Sequence, residues 1–244
     1  MAAHVMRHSA KTPDKIALQV LHSNHSENWT YRDLENAVRG IATGLLDQGA
    51  EAGDLVLMRL GNTVDYPLTY LGALAAGLVP VPTSAALTLP EVTRIIGELS
   101  PRLIVRDPDV SCPATDNQIE VSQLHTMRGL PAAPYQMGNP ERLGYIVYTS
   151  GTSGKPRPVA HAHRAIWARQ MMFEGWYGLR QDDRMLHAGA FNWTYTMGTG
   201  LMDPWTIGAT AMIPAAGTMS DTLPSLLAAN GATIFAATPG VYRQ

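Results

Sequence analysis

A chain of 244 residues, 45% of them hydrophobic, is long enough for one large domain or two small ones with a substantial core. Its 18 basic and 20 acidic residues are well mixed and leave a net charge of -2, so it carries neither the basic stripe of a nucleic-acid-binding protein nor a polybasic membrane-surface segment. Cys112 is the sole cysteine, which excludes disulfides and cysteine-built metal sites within the chain and fits a reducing, cytoplasmic setting. Met1 to Lys15 has no apolar stretch of signal-peptide length, and no run is long enough to span a bilayer.

In chain order, Ile16-Ala-Leu-Gln-Val-Leu21 reads as a strand, and Trp29-Thr-Tyr31 returns after a polar turn, which predicts a hairpin. Thr30 and Asp33 form a capping-box pattern that opens a helix. Leu34, Val38, Ile41 and Leu45 line one face of that helix, and Gly49 ends it. Leu55–Met58 is a buried strand, Asp65 to Ala76 a small-residue helix, and Val79-Pro-Val-Pro82 an extended segment. Pro90 opens the next helix, with Val92, Ile95, Ile96 and Leu99 inward, and Leu103-Ile-Val105 is another strand. Residues 107 to 140, rich in Pro, Asp, Asn and Gln, are expected to connect two lobes. Tyr145 to Tyr148 is a strand, Arg164 to Tyr177 a helix, and Arg184 to His187 a strand. Thr196 to Pro204 is helical or tight, Ala209 to Ile213 a strand, Ser220 to Ala229 a helix, and Thr233 to Ala236 the last strand. This alternation predicts an α/β fold of largely parallel sheets flanked by helices, with residues 1–135 as one subdomain and 136–244 as a second. In such sheets ligands bind beyond the carboxyl ends of strands, which places the segments after Tyr148 and after His187 at ligand-facing edges.

The segment after Tyr148 is the richest in chemistry. Thr149, Ser150, Thr152 and Ser153 supply four hydroxyls, Gly151 and Gly154 free the backbone N–H groups to face an anion, and Lys155 adds a mobile positive charge. Only two residues separate Gly151 from Gly154, and Pro156 follows the lysine, so the spacing and magnesium hydroxyl of a P-loop are both missing. The competing bland reading is a flexible linker. The apolar strand that feeds the loop and its single lysine favour a site for nucleotide phosphates. His161, His163 and His187 have no acidic partner at ligand spacing, so no metal site is expected of them.

Four stretches, in this order, resemble the adenylate-forming superfamily of acyl-CoA synthetases, peptide-synthetase adenylation domains and luciferases. They are Trp29-Thr-Tyr-Arg-Asp-Leu34, Tyr70-Leu-Gly-Ala-Leu-Ala-Ala-Gly-Leu-Val-Pro-Val-Pro82, Tyr148-Thr-Ser-Gly-Thr-Ser-Gly-Lys-Pro156 and Ala237-Thr-Pro-Gly-Val-Tyr242. The resemblance implies the N-terminal part of an AMP-forming carboxylate–CoA ligase. ATP with Mg²⁺, a carboxylic acid and coenzyme A would be its substrates. It assigns ATP phosphates to Thr149, Ser150, Gly151, Thr152, Ser153, Gly154 and Lys155, with Lys155 catalytic. Pro158 departs from the family's usual glycine. The resemblance also assigns an acyl pocket to Phe191, Trp193, Thr194, Met197 and Gly198, in a segment where Phe191, Trp193, Tyr195 and Met197 alternate as along an extended loop. A large Trp193 would favour a small or planar acid, although medium-chain acids stay open, and for Phe191 and Met197 a plain core role is equally open.

The family's adenine, ribose, hinge and C-terminal catalytic segments have no counterpart in the chain, and Thr238 to Gln244 reads as a helix begun without a body. A fragment with little or no ligase activity alone is therefore expected. Exposed strand edges would favour self-association into a homo-oligomer. The alternatives are a stand-alone nucleotide- or acyl-binding module and an amino-acid adenylation domain. Against the latter, no acidic residue falls between Phe191 and Gly200.

Overall fold

The computed structural model describes residues 1–149 and 156–243. Its strands are β1 (Ile16–Leu21), β2 (Ser26–Thr30), β3 (Leu55–Arg59), β4 (Val79–Pro82), β5 (Leu103–Arg106), β6 (Gln118–Glu120), β7 (Leu143–Thr149), β8 (Arg157–Ala162), β9 (Arg184–Ala188), β10 (Thr210–Pro214) and β11 (Ile234–Ala237). The chain divides into two compact units, one of Met1–Ala2 with Asn36–Ala165 and one of Ala3–Glu35 with Ile166–Gln244.

In the first unit, β4, β3, β5 and β6 form a parallel sheet in that order. Pro80 and Pro82 lack N–H donors, and β4 accordingly lies at the sheet's edge. Leu57, Val79, Val81 and Ile104 pack with Val92 and Ile95 of the helix Leu89–Leu99. The Thr88 side chain and Glu91 cap that helix reciprocally. The helix Asp65–Ala75 is buried along its whole length, which its apolar and small residues permit. Arg59 is fully buried, and its guanidinium donates to the carbonyls of Ser84 and Ser111 and to the Thr83 hydroxyl.

Two features of this unit depart from the sequence reading. The expected connection at 107–140 contains β6 and a helix, Val121–Met127, whose capping box uses Glu120 and Gln123. Glu at the cap position is not among the usual opening signals, which hid the helix. The expected boundary at 135/136 falls inside the unit. The Gln136 N–H donates to the carbonyl of Ala75 at 2.8 Å, and Ile146 of β7 joins the core of the parallel sheet.

In the second unit, β11, β9, β10 and β1 run parallel, and β2 closes the sheet as an antiparallel hairpin partner of β1. Successive residues of β9 face opposite sides: Leu186 packs with Leu21, Met212, Leu223 and Leu226, and Met185 with Phe173, Leu179, Ala209 and Ala236. Burial on both faces is what a parallel sheet requires. Trp205 and Tyr31 are fully buried, and each satisfies its polar tip on backbone, Trp205 Nε1–H on the Ala17 carbonyl at 2.8 Å and Tyr31 O–H on the Ala209 carbonyl at 2.7 Å.

The helix expected from Arg164 to Tyr177 is α-helical only over Ala165–Arg169. It tightens to a 3₁₀ turn at Gln170–Met172 and widens to π spacing at Phe173–Tyr177. Thr196–Met202 is also π-helical and runs into the α-turn Asp203–Ile207.

Candidate active site

The hydroxyl-rich segment joins β7 to β8. These strands pair antiparallel from Leu143↔Ala162 to Thr149↔Arg157. The connection therefore links hairpin partners rather than crossing from a parallel strand to a helix, which corrects the topological expectation. Thr149 ends β7 with its side chain exposed. Ser150, Gly151, Thr152, Ser153, Gly154 and Lys155 lie outside the described residues. The strands themselves are held firmly. The Tyr145 ring stacks on His161 at 4.5 Å and meets Tyr70 edge-on at 5.8 Å. The Tyr148 hydroxyl donates to Glu98 Oε2 at 3.2 Å, and burial, followed by that carboxylate, pushes the phenol's pKa up.

In the second unit, β9 ends at His187 and Ala188, next to the other segment singled out in the sequence. This segment is not an extended loop. Trp193 N–H donates to the Ala190 carbonyl at 3.2 Å and Met197 N–H to the Trp193 carbonyl at 3.0 Å, so a turn leads directly into helix. Helical periodicity therefore replaces the alternation expected of Phe191, Trp193, Tyr195 and Met197. Phe191 and Met197 are buried, Gly198 is buried, and Trp193 and Thr194 are exposed.

His187 lies inside this region with 1% of its surface exposed. The edge of the Tyr195 ring meets it at 4.7 Å. Gly200 presses against it so closely that a Cβ there would stand 2.5 Å from His187 Cβ. Neither ring nitrogen has a hydrogen-bond partner among the described residues, and burial lowers the imidazole pKa to about 4. It is neutral at pH 7.

A buried ion-pair network holds the other side of the π-helical turns. Asp203, fully buried, accepts from Arg169 Nε at 2.7 Å, from the Arg169 guanidinium at 2.6 Å and from the Tyr177 hydroxyl at 2.6 Å. Arg169 also donates to Thr199 Oγ1 at 3.1 Å. A Cβ on Gly198 would lie 2.4 Å from the guanidinium carbon, so glycine there makes room for the arginine. Burial first, and then Asp203, raises the Tyr177 pKa. The sequence reading missed Arg169, Trp176, Tyr177 and Asp203. One signal was available: Asp203 is the lone acidic residue in an apolar run from Met197 to Trp205, and such a carboxylate must find a buried cation.

His161 and His163 have structural surroundings. His163 is buried with Nδ1 3.0 Å from the Met1 amine, and burial lowers its pKa to about 4. Burial raises the Cys112 pKa, the opposite of an activated thiolate. No three His, Cys, Asp or Glu side chains among the described residues gather as a metal site. No helix among them is long and apolar enough to cross a membrane.

Parallel sheets flanked by helices define an α/β protein, with the antiparallel β7–β8 pair set apart from them. The chain belongs to the AMP-binding enzyme family, whose profile matches residues 5–244. It is 26% identical over 241 residues to the 3-hydroxybenzoate–CoA/4-hydroxybenzoate–CoA ligase of Thauera aromatica, covering 88% of this chain and 45% of that one. It is 27% identical over 210 residues to a plipastatin synthase polypeptide of Bacillus subtilis, covering 83% of this chain and 8% of that one. The fold matches the inhibitor-bound N-terminal domain of FACL13 from Mycobacterium tuberculosis with a TM-score of 0.88 at 20% identity, over 99% of this chain and 63% of that one. The chain thus spans less than half the length of the curated relatives it matches.

Proposed function

We propose that this chain is the N-terminal part of an AMP-forming carboxylate–CoA ligase acting on a small or aromatic acid. In the first half-reaction a carboxylate oxygen attacks the α-phosphorus of ATP and pyrophosphate leaves, giving an acyl-adenylate. In the second, a coenzyme A thiolate attacks the acyl carbon and AMP leaves. The observation that carries this reading is the β7–β8 hairpin, whose connection holds Ser150, Gly151, Thr152, Ser153, Gly154 and Lys155 directly after Thr149. Hydroxyls, backbone N–H groups and one lysine in that connection would receive the charge that builds on the departing pyrophosphate. Magnesium bound to ATP would neutralise part of the same charge, and no described residue is assigned to it.

The similarity to a hydroxybenzoate–CoA ligase supports an aromatic acid. The similarity to a plipastatin synthase supports an amino acid as the rival substrate, but no carboxylate between Phe191 and Gly200 could hold its ammonium group. A homo-oligomer in the cytoplasm is part of the same proposal.

Carboxylate-dependent exchange of labelled pyrophosphate into ATP tests the reading. The product of the complete reading frame containing this chain should exchange with benzoate-type acids and not with amino acids. The 244-residue chain alone should exchange little or nothing. Exchange with amino acids only, or none with any acid by the complete product, overturns it.

A further inference from the structure

An aromatic series runs outward from the carboxyl end of β9. Fully buried His187 meets Tyr195 at 4.7 Å, Tyr195 faces Trp176 at 6.2 Å with their planes 36° apart, and Trp176 is 56% exposed. The core contacts of the turn that carries Trp176 are made by Phe173 and Tyr177, which pack with Leu179 and Met185, and the indole is left to solvent. It is nevertheless flanked by two rings. Tyr177, the next residue, stands edge-on to it at 5.3 Å and is tied to Asp203, which Arg169 also grips. The π-helical turn Phe173–Tyr177 and the π-helical turns that follow Tyr195 are thus joined through one carboxylate. Wide turns of this kind are costly and recur at functional sites. Here they hold an indole, exposed to solvent, against a tyrosine that touches the end of a parallel strand, where α/β sheets receive ligands.

We infer that Trp176 is a specificity-determining wall of the acid-binding pocket, held against Tyr195 by the Tyr177–Asp203–Arg169 network, and that it selects flat aromatic carboxylic acids over flexible alkyl ones. This rests on the ligase reading above. A rigid indole beside a phenol offers a planar acid a matched face, with no ordering cost for the walls. A flexible chain loses rotamer freedom to reach the same contact. Tyr177 and Arg169 act through Trp176 and Tyr195 and are positioning residues.

The test uses the product of the complete reading frame and pyrophosphate exchange with benzoate and octanoate. Trp176→Leu should lower the benzoate-to-octanoate ratio of kcat/KM by about tenfold, the scale on which a pocket wall discriminates. The change should fall on KM for the acid, with KM for ATP unaltered. Trp176→Phe should keep most of the wild-type ratio. Tyr177→Phe, which keeps every ring and removes only the bond to Asp203, should move the ratio in the same direction by a smaller factor, and it carries the test if Trp176→Leu is insoluble. A ratio unchanged in both Trp176→Leu and Tyr177→Phe, or an equal loss with both acids, overturns the inference while leaving the ligase reading intact. Absence of exchange by the wild type with any acid overturns the ligase reading and this inference with it.

Discussion

Arg169 and Asp203 meet in a two-pronged ion pair, at 2.7 and 2.6 Å, with the carboxylate fully buried. Such a pair is worth little against an apolar replacement of both partners, yet removing one partner strands a buried charge. Arg169→Ala should therefore destabilise the fold by about 3 kcal/mol. Arg169→Met combined with Asp203→Leu should recover much of that loss. Urea unfolding of the three proteins checks this. Equal stability of Arg169→Ala and the wild type would show that Asp203 finds another partner.

Gly198 depends on the same arginine. A methyl group at residue 198 would meet the guanidinium at 2.4 Å, so Gly198→Ala should cost about 2 kcal/mol by overpacking. In an Arg169→Ala background the obstruction is gone and the same substitution should cost under about 1 kcal/mol. A double-mutant cycle by chemical unfolding reads the coupling directly. Additive effects would mean that backbone shifts, not the arginine, set the space at 198.

His187 should make stability depend on acid. Burial holds its pKa at about 4 in the folded chain against an ordinary 6.5, so below pH 6.5 the unfolded chain takes up a proton that the folded chain refuses. The stabilising contribution is complete above pH 6.5 and is lost progressively as pH falls toward 4. Between pH 7 and pH 5 that amounts to roughly 2 kcal/mol. His163, also lowered to about 4, adds its own share, so the measurement is a difference. The pH 7-to-5 loss in His187→Gln should be smaller than in wild type by this amount. Equal losses would place the acid sensitivity elsewhere.

Much of the fold was legible because burial and period agree. Leu34, Val38, Ile41 and Leu45 repeat at helical spacing and are all fully buried, and Thr30 with Asp33 makes the capping box that its spacing implied. β1 and β4 match their sequence-read bounds for the same reason. What escaped depends on contacts distant in sequence. Arg169, Tyr177 and Asp203 are separated by 8 to 34 residues, and no local pattern joins them. The π-helical spacing of Thr196–Met202 hides likewise, because nothing local in the sequence shows that Gly198 and Gly200 each admit a particular neighbour, Arg169 or His187. β8 was missed because Arg157, Pro158 and His161 give it no strand-like apolar alternation, and pairing with β7 overrides that weak propensity.

Lys155 follows the hairpin's last described pair on β7 by six residues, and its role can be separated from that of the strands. If the lysine receives pyrophosphate charge in the transition state, Lys155→Met should lower kcat for exchange by about a hundredfold, the scale of losing one preorganised charge-stabilising donor. KM for the acid should barely change, because the acid does not depend on that contact. Lys155→Arg keeps the charge on a differently shaped head and should retain part of the rate. Thermal unfolding should be unaltered in both, since the residue follows the end of β7 in sequence and belongs to neither hairpin strand. Steady-state exchange with benzoate across a range of ATP concentrations distinguishes the cases. A rise in KM for ATP at unchanged kcat would make Lys155 a ground-state phosphate contact, and an unchanged rate would remove the lysine from the phosphate site.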